Sequence, residues 1–192
     1  MEFFEEGKNC NVCSKKEKNV VSKLGIIICK ECWKWEPISK VTSYPFQSPD
    51  IDKIDEKIFV GNEGVQRKQN ILKALDITNI LVVGSELTLF HPNSFIYYHI
   101  DIDDFYTENI SKYFNISYEF IINSKGKVLI HCAAGISRSC TIAISYIMRK
   151  NGINFEEAFN FVKKKRRCAN PNRGFVKQLR EYENVLKNKP KF

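Results

Sequence analysis

The chain has 192 residues, 43% of them hydrophobic and 27% charged, with a formal net charge of +8 and seven cysteines. That length suits one ordinary domain, or one domain with a small appendage, and the composition is that of a folded globular protein, which excludes long disorder. No apolar run approaches the ~20 residues needed to cross a bilayer. The acidic start, Met1 to Glu6, reads as no signal peptide, and glutamate at position 2 excludes myristoylation. The expected setting is therefore cytoplasmic or nuclear, with no membrane partner. In that reducing compartment cysteines serve as metal ligands, nucleophiles or buried thiols rather than disulfides.

In chain order, the first pattern is Cys10-x2-Cys13, then Cys29-x2-Cys32. Two Cys-x-x-Cys turns at this spacing predict a four-thiolate zinc site. A segment of about 40 residues cannot fold on a core alone, so a structural metal makes physical sense. With all four positions filled by protein, the zinc is expected to be structural. The stretch from Thr42 to Asp50 holds two prolines and no periodic pattern, and reads as a linker. The expected organisation is a zinc module over 1–41, a linker over 42–50, a main domain over 51–188 and a basic tail over 189–192.

After the linker, strand-like and helix-like segments alternate. Strands are predicted over 57–61, 77–84, 95–100 and 127–131. Helices are predicted over 64–75, from about Ile110 to Ile121, and from Ser139 to Lys150, the last apolar on nearly every side. Asn154 with Glu157 marks a capping-box start for a helix burying Phe155, Ala158, Phe159 and Val162. A final helix carries Phe175, Leu179, Tyr182 and Leu186. The alternation predicts an α/β fold, a mainly parallel twisted sheet flanked by helices.

The segment that carries chemistry is His131-Cys132-Ala133-Ala134-Gly135-Ile136-Ser137-Arg138-Ser139. A strand runs into a short loop, and the loop opens a helix. Successive backbone N–H groups and a helix N-terminus then converge on an anion. Cys132 at the strand end, under those donors, would have its thiolate stabilised. Gly135 lets the loop take backbone angles closed to other residues. Arg138 is placed to fork onto two phosphate oxygens while Cys132 attacks phosphorus. Ser139 is placed to hydrogen-bond the thiolate as it leaves.

The pattern His-Cys-x5-Arg-Ser after a strand resembles the cysteine-dependent protein phosphatases, and its wording resembles the small, atypical dual-specificity members. Upstream, Tyr98 to Asp104 and Asn109 to Phe114 are similar to that family's general-acid strand, loop and helix. Downstream, Arg167 to Phe175 is similar to its C-terminal helix pair. The resemblance covers about residues 51–187 and departs at Asn123 to Gly126, a connection shorter than usual. It implies a phosphocysteine mechanism with no catalytic metal. Cys132 is then the nucleophile, and Arg138 with the loop residues Ala133, Ala134, Gly135, Ile136 and Ser137 binds the phosphate. Asp101, Asp103 and Asp104 compete as general acid. Counting back from Asn109 as the family does selects Asp104, and strand parity agrees, since Asp101 and Asp103 share the face opposite Ile100 and Ile102. Asn172 is similar to a family position that braces the loop.

The compact catalytic region implies a shallow pocket open to phosphoserine, phosphothreonine and phosphotyrosine in protein substrates. The variable loop positions carry no Lys or His, unlike relatives acting on inositol lipids or RNA 5′ ends, which stand as the alternative together with a non-catalytic zinc-ribbon module. Eleven Lys and Arg stand in the last thirty residues against Glu181 and Glu183. The run Lys163 to Arg167 is read as a solvated helix face rather than a nucleic-acid surface or nuclear signal. Cys140 and Cys168 are expected as inert buried thiols, and His91 and His99 as packing or surface groups.

Overall fold

A computed structural model describes residues 51–188 in full, together with the backbone of three short N-terminal strands. These are β1 (Phe3–Glu5), β2 (Asn19–Val21) and β3 (Ile27–Cys29), paired antiparallel in that order. Cys10, Cys13 and Cys32 lie outside the described residues, as does the 42–50 linker, and of Cys29 only the backbone is described.

The main sheet has five strands. They are β4 (Ile51–Lys53), β5 (Ile58–Gly61), β6 (Ile77–Val83), β7 (Ile96–Ile100) and β8 (Lys127–His131), in the order β4-β5-β8-β6-β7. The edge pair β4 and β5 is antiparallel and every other pair is parallel. The strands that the sequence predicts as continuous apolar runs are buried on both faces. Ile58, Val60, Leu81, Val83, Val128 and Ile130 turn to one side, and Phe59, Ile80, Val82 and Leu129 to the other.

The larger face is covered by four helices: α3 (Phe114–Ile122, entered through a 3-10 turn at Ser111–Tyr113), α4 (Arg138–Asn151), α5 (Phe155–Lys165) and α6 (Arg173–Lys187). Helix α4 is central, with every residue from Arg138 to Met148 buried, and it ends on Gly152 in the left-handed region at φ 63°. The capping box predicted at Asn154 and Glu157 is present in both directions.

The smaller face is covered by two short helices, α1 (Glu63–Gln66) and α2 (Gln69–Ala74), where the periodicity predicts one helix over 64–75. The chain leaves the helical region at Lys68 (ψ 64°). Each piece is anchored separately to the β6–β7 connection: the Gln66 side chain donates to the Thr88 carbonyl, and that of Gln69 to Ser94 Oγ. Those tertiary hydrogen bonds override a helical pattern too short to be stable alone.

Because β5, β6, β7 and β8 run parallel, their carboxyl ends lie on one edge. There the loops that begin at Gly84, Asp101 and Cys132 come together, the place where open α/β sheets bind ligands.

Candidate active site

The loop from Cys132 to Ser137 joins β8 to α4. Three of its carbonyl oxygens are tied to the surrounding scaffold. Ala133 O accepts from Glu63 N at 3.1 Å, Gly135 O from Arg166 Nε at 2.6 Å, and Ile136 O from Asn170 N at 2.8 Å. The peptide bonds of this loop are trans, so each outward carbonyl turns the next N–H, of Ala134, Ile136 and Ser137, to the opposite side of its peptide plane. The loop is thereby a nest of inward amides. Helix α4 adds to it: its N-cap Ser137 makes no side-chain cap, so the first-turn N–H groups are left for another acceptor.

Gly135 takes φ 68°, and a Cβ there would stand 2.5 Å from the Gly61 carbonyl. The glycine thus meets a conformational need and a close approach to the end of β5. Cys132 is 1% exposed. Its Sγ accepts from Gly135 N at 3.2 Å and lies 3.2 Å from Ser139 Oγ. Ala133 and Ala134 are exposed at the mouth.

The Arg138 side chain is 7% exposed. Its Nη1 donates to Glu86 Oε2 at 2.8 Å and to the Ile102 carbonyl at 3.3 Å, and its Nη2 to Glu86 Oε1 at 2.7 Å. Burial works against the guanidinium charge. The Glu86 hydrogen bond and the charges of Cys132, Glu86 and Asp104 outweigh it and leave the pKa above the ordinary value. The same contact is the leading cause that holds Glu86 below the usual carboxylate range.

The three candidate carboxylates separate clearly. Asp104 Oδ1 accepts from Ser137 Oγ at 2.7 Å and from Asn172 Nδ2 at 2.8 Å, while Oδ2 lies 3.7 Å from Arg138 Nε. The Asp103 carboxylate accepts instead from the Ser85 hydroxyl. Asp101 is exposed. Of the three, Asp104 is the carboxylate brought to Arg138 and the loop. Asn172 does more than brace: its N–H donates to Ser137 Oγ, its amide holds Asp104, and its Oδ1 caps α6 through Gly174 N and Phe175 N. The loop that carries Asp104 also packs on α6, where a Cβ on Gly174 would meet the Tyr106 carbonyl at 1.9 Å.

One expectation is corrected in part. Lys164, Lys165 and Arg167 are exposed, as a solvated face requires, but Arg166 is fully buried. It donates from Nε to the Gly135 carbonyl and from Nη1 to Asp52 Oδ2 at 2.8 Å. Cys140 is buried, and burial pushes its thiol above the ordinary range, whereas Cys168 is only partly buried. His131 is buried with neither ring nitrogen hydrogen-bonded. Burial chiefly, aided by His99 and opposed by the Cys132 backbone, takes its pKa down to about 4. His99 is itself anchored to the Gly84 carbonyl at 2.6 Å.

Sequence reasoning misses Glu86, Arg166 and Asp52. For Arg166 there is a signal: it lies four residues after Val162 on the apolar stripe of α5, the one basic residue of the run in phase with it. No comparable signal marks Glu86, which sits in an irregular loop. Among the described residues no group of His, Cys, Asp or Glu is arranged to hold a metal ion.

Residues 58–185 match the family model for the dual specificity phosphatase catalytic domain. Among curated relatives, dual specificity protein phosphatase 1 of Arabidopsis thaliana is 36% identical over 142 residues, covering 72% of each chain. Dual specificity protein phosphatase 1B of the same plant is 36% identical over 140 residues, covering 71% of this chain and 84% of that one. Among solved structures, the human tyrosine phosphatase-like serine/threonine/tyrosine-interacting protein superposes with a TM-score of 0.68 at 36% identity, over 70% of this chain and 96% of that one. The matched span takes in the β8–α4 loop, Asp104, α5 and all but the last two residues of α6, and the chain belongs to the dual specificity phosphatase family.

Proposed function

We propose that the chain is a dual specificity protein phosphatase working through a phosphocysteine, with Cys132 as nucleophile. The observation that carries this is the convergence of the Cys132 sulfur, an inward-facing amide nest, the Arg138 guanidinium and the Asp104 carboxyl on one mouth.

In the first step the Cys132 thiolate attacks phosphorus in line, the P–O bond to the side chain of the substrate breaks, and Asp104 gives a proton to the leaving oxygen. Asp104 Oδ1 is taken by Ser137 and Asn172, so Oδ2 is the oxygen that carries the proton. The equatorial oxygens are held by the loop amides and Arg138, which supply the charge stabilisation that a metal ion gives in other phosphoryl transfers. In the second step Asp104 takes a proton from water, the water oxygen attacks phosphorus, and the S–P bond breaks. Ser139 donates to the departing thiolate across the 3.2 Å contact.

Phosphorylated protein side chains are the substrate class this site fits. Ala133 and Ala134 at the mouth offer no cation to a more highly charged lipid headgroup or RNA end. Turnover compared side by side on phosphotyrosine, phosphothreonine and phosphoserine peptides, an inositol phosphate headgroup and 5′-triphosphate RNA tests this. The peptides are expected to be hydrolysed with the higher kcat/KM, and preferential turnover of RNA or inositol phosphate would overturn the assignment.

The N-terminal segment is read as a separate module over 1–41, joined by the 42–50 linker and held by a structural zinc on Cys10, Cys13, Cys29 and Cys32. The ligand spacing supports this, and so does β3 ending on Cys29, where the second pair begins. Metal analysis of the purified chain is expected to give one zinc per chain, lost on Cys10→Ser with Cys13→Ser. A metal-free folded chain would contradict it.

A further inference from the structure

The five N–H groups of the Arg138 guanidinium are not equivalent. Both Nη1 hydrogens are used, one on Glu86 Oε2 and one on the Ile102 carbonyl, and one Nη2 hydrogen is used on Glu86 Oε1. Glu86 thus grips the end of the fork with both carboxylate oxygens, in the bidentate geometry that fixes a guanidinium plane. What is left is one Nη2 hydrogen and the Nε hydrogen, which lie side by side on one edge of that plane. Nε is buried and has no hydrogen-bond partner. Its neighbour on that side is Asp104 Oδ2, at 3.7 Å. The remaining edge is therefore a two-donor fork facing the acid and the Cys132 loop.

The β6–β7 connection is shaped for this grip. A Cβ on Gly84 would stand 2.7 Å from Arg138 Nη1 and 2.8 Å from Glu86 Oε2. Only a residue without a side chain lets the two charged groups close over it. Glu86 itself is half exposed, at 48%, so it holds the arginine from the solvent side without needing a buried position of its own.

We propose that Glu86 is a positioning residue for the phosphatase reaction. It clamps the far end of Arg138 so that the Nε–Nη2 edge is presented, already oriented, to two oxygens of the substrate phosphate. The inference rests on the phosphatase reading above and adds a residue outside the loop motif. Pre-orienting the fork lowers the cost of ordering it when phosphate arrives. The clamp acts through Arg138, and Glu86 itself does not touch the substrate.

The sign of the effect separates this role from simple electrostatics. Removing a negative charge beside an anion site would by Coulomb attraction alone tighten anion binding. Loss of the clamp weakens it. Tungstate, a tetrahedral dianion, serves as the probe, read as a competitive inhibitor of aryl phosphate hydrolysis and by calorimetry on the full chain. In Glu86→Gln, one acceptor and one donor face a fork that offers two donors, and the tungstate Ki and the substrate KM are expected to rise about ten-fold. Tm is expected to fall only slightly, because the glutamine carbonyl still accepts from the guanidinium and the site is half open to water. On an Arg138→Lys background, where there is no fork to orient, the same substitution is expected to change the calorimetric tungstate affinity less than about two-fold. An unchanged or tighter Ki in Glu86→Gln, or an equal loss on the lysine background, overturns the proposal. Wild-type chain that neither hydrolyses the aryl phosphate nor binds tungstate overturns the phosphatase reading with it.

Discussion

Asp104 shows how one carboxylate among three is set apart by its neighbours. Ser137 and Asn172 fix Oδ1 and leave Oδ2 toward Arg138, while Asp103 is occupied by Ser85. Asp104→Asn is therefore expected to lower kcat by about a hundred-fold with little change in KM. Asp103→Asn is expected to stay within a few-fold of wild type, and steady-state kinetics on an aryl phosphate checks both. A larger loss in Asp103→Asn would move the general acid by one position. The sequence marks Asp104, the proposed acid, only through the family-like spacing to Asn109 and strand parity. The hydroxyl and amide that hold it, 33 and 68 residues further along, carry no local pattern. Glu86 was illegible for the same reason: its pair with Arg138 spans 52 residues and starts in a loop.

At the level of elements, the β8–α4 loop keeps its shape because three hydrogen bonds, from the start of α1 and from the connection after α5, hold its carbonyls. The largest of these contacts reaches from β4 through the end of α5: Asp52 pairs with the buried Arg166, and Arg166 holds Gly135 O. Asp52→Ala takes away a carboxylate partner of a buried guanidinium and is expected to cost about 3 kcal/mol. Denaturant unfolding reads that loss, and kcat/KM is expected to fall as well, because the loop amides lose their register. A variant with wild-type stability and activity would show that the brace does not act on the loop. The elements themselves were well legible where burial is two-sided. Lys127–His131 forms the strand its apolar run predicts, and α4 begins one residue before Ser139. The predicted helix over 64–75 divides because contacts to the β6–β7 connection, invisible to local periodicity, hold each half. Charge alone does not tell which side chain of the basic run at 163–167 points inward, so the burial of Arg166 carries no mark in composition.

For the whole molecule, the buried His131 couples stability to pH. Its folded pKa lies near 4, below the ordinary 6.5, so the unfolded chain binds a proton first as pH falls. Stability is full above about pH 6.5 and drops by roughly 1.4 kcal/mol per unit until about pH 4, where the folded state also takes the proton. Urea unfolding across that range is expected to show this slope in wild type and a flatter one in His131→Asn. Equal slopes would mean the imidazole does not set the acid limit. The parallel sheet, with its loops gathered at one edge, was legible from alternation of strands and helices. The zinc module rests on spacing that the described residues do not reach. A phosphocysteine formed on Cys132 is checked by aryl phosphate hydrolysis without added metal, wild type against Cys132→Ser. Turnover is expected in the first and none in the second. Turnover retained in Cys132→Ser would contradict it.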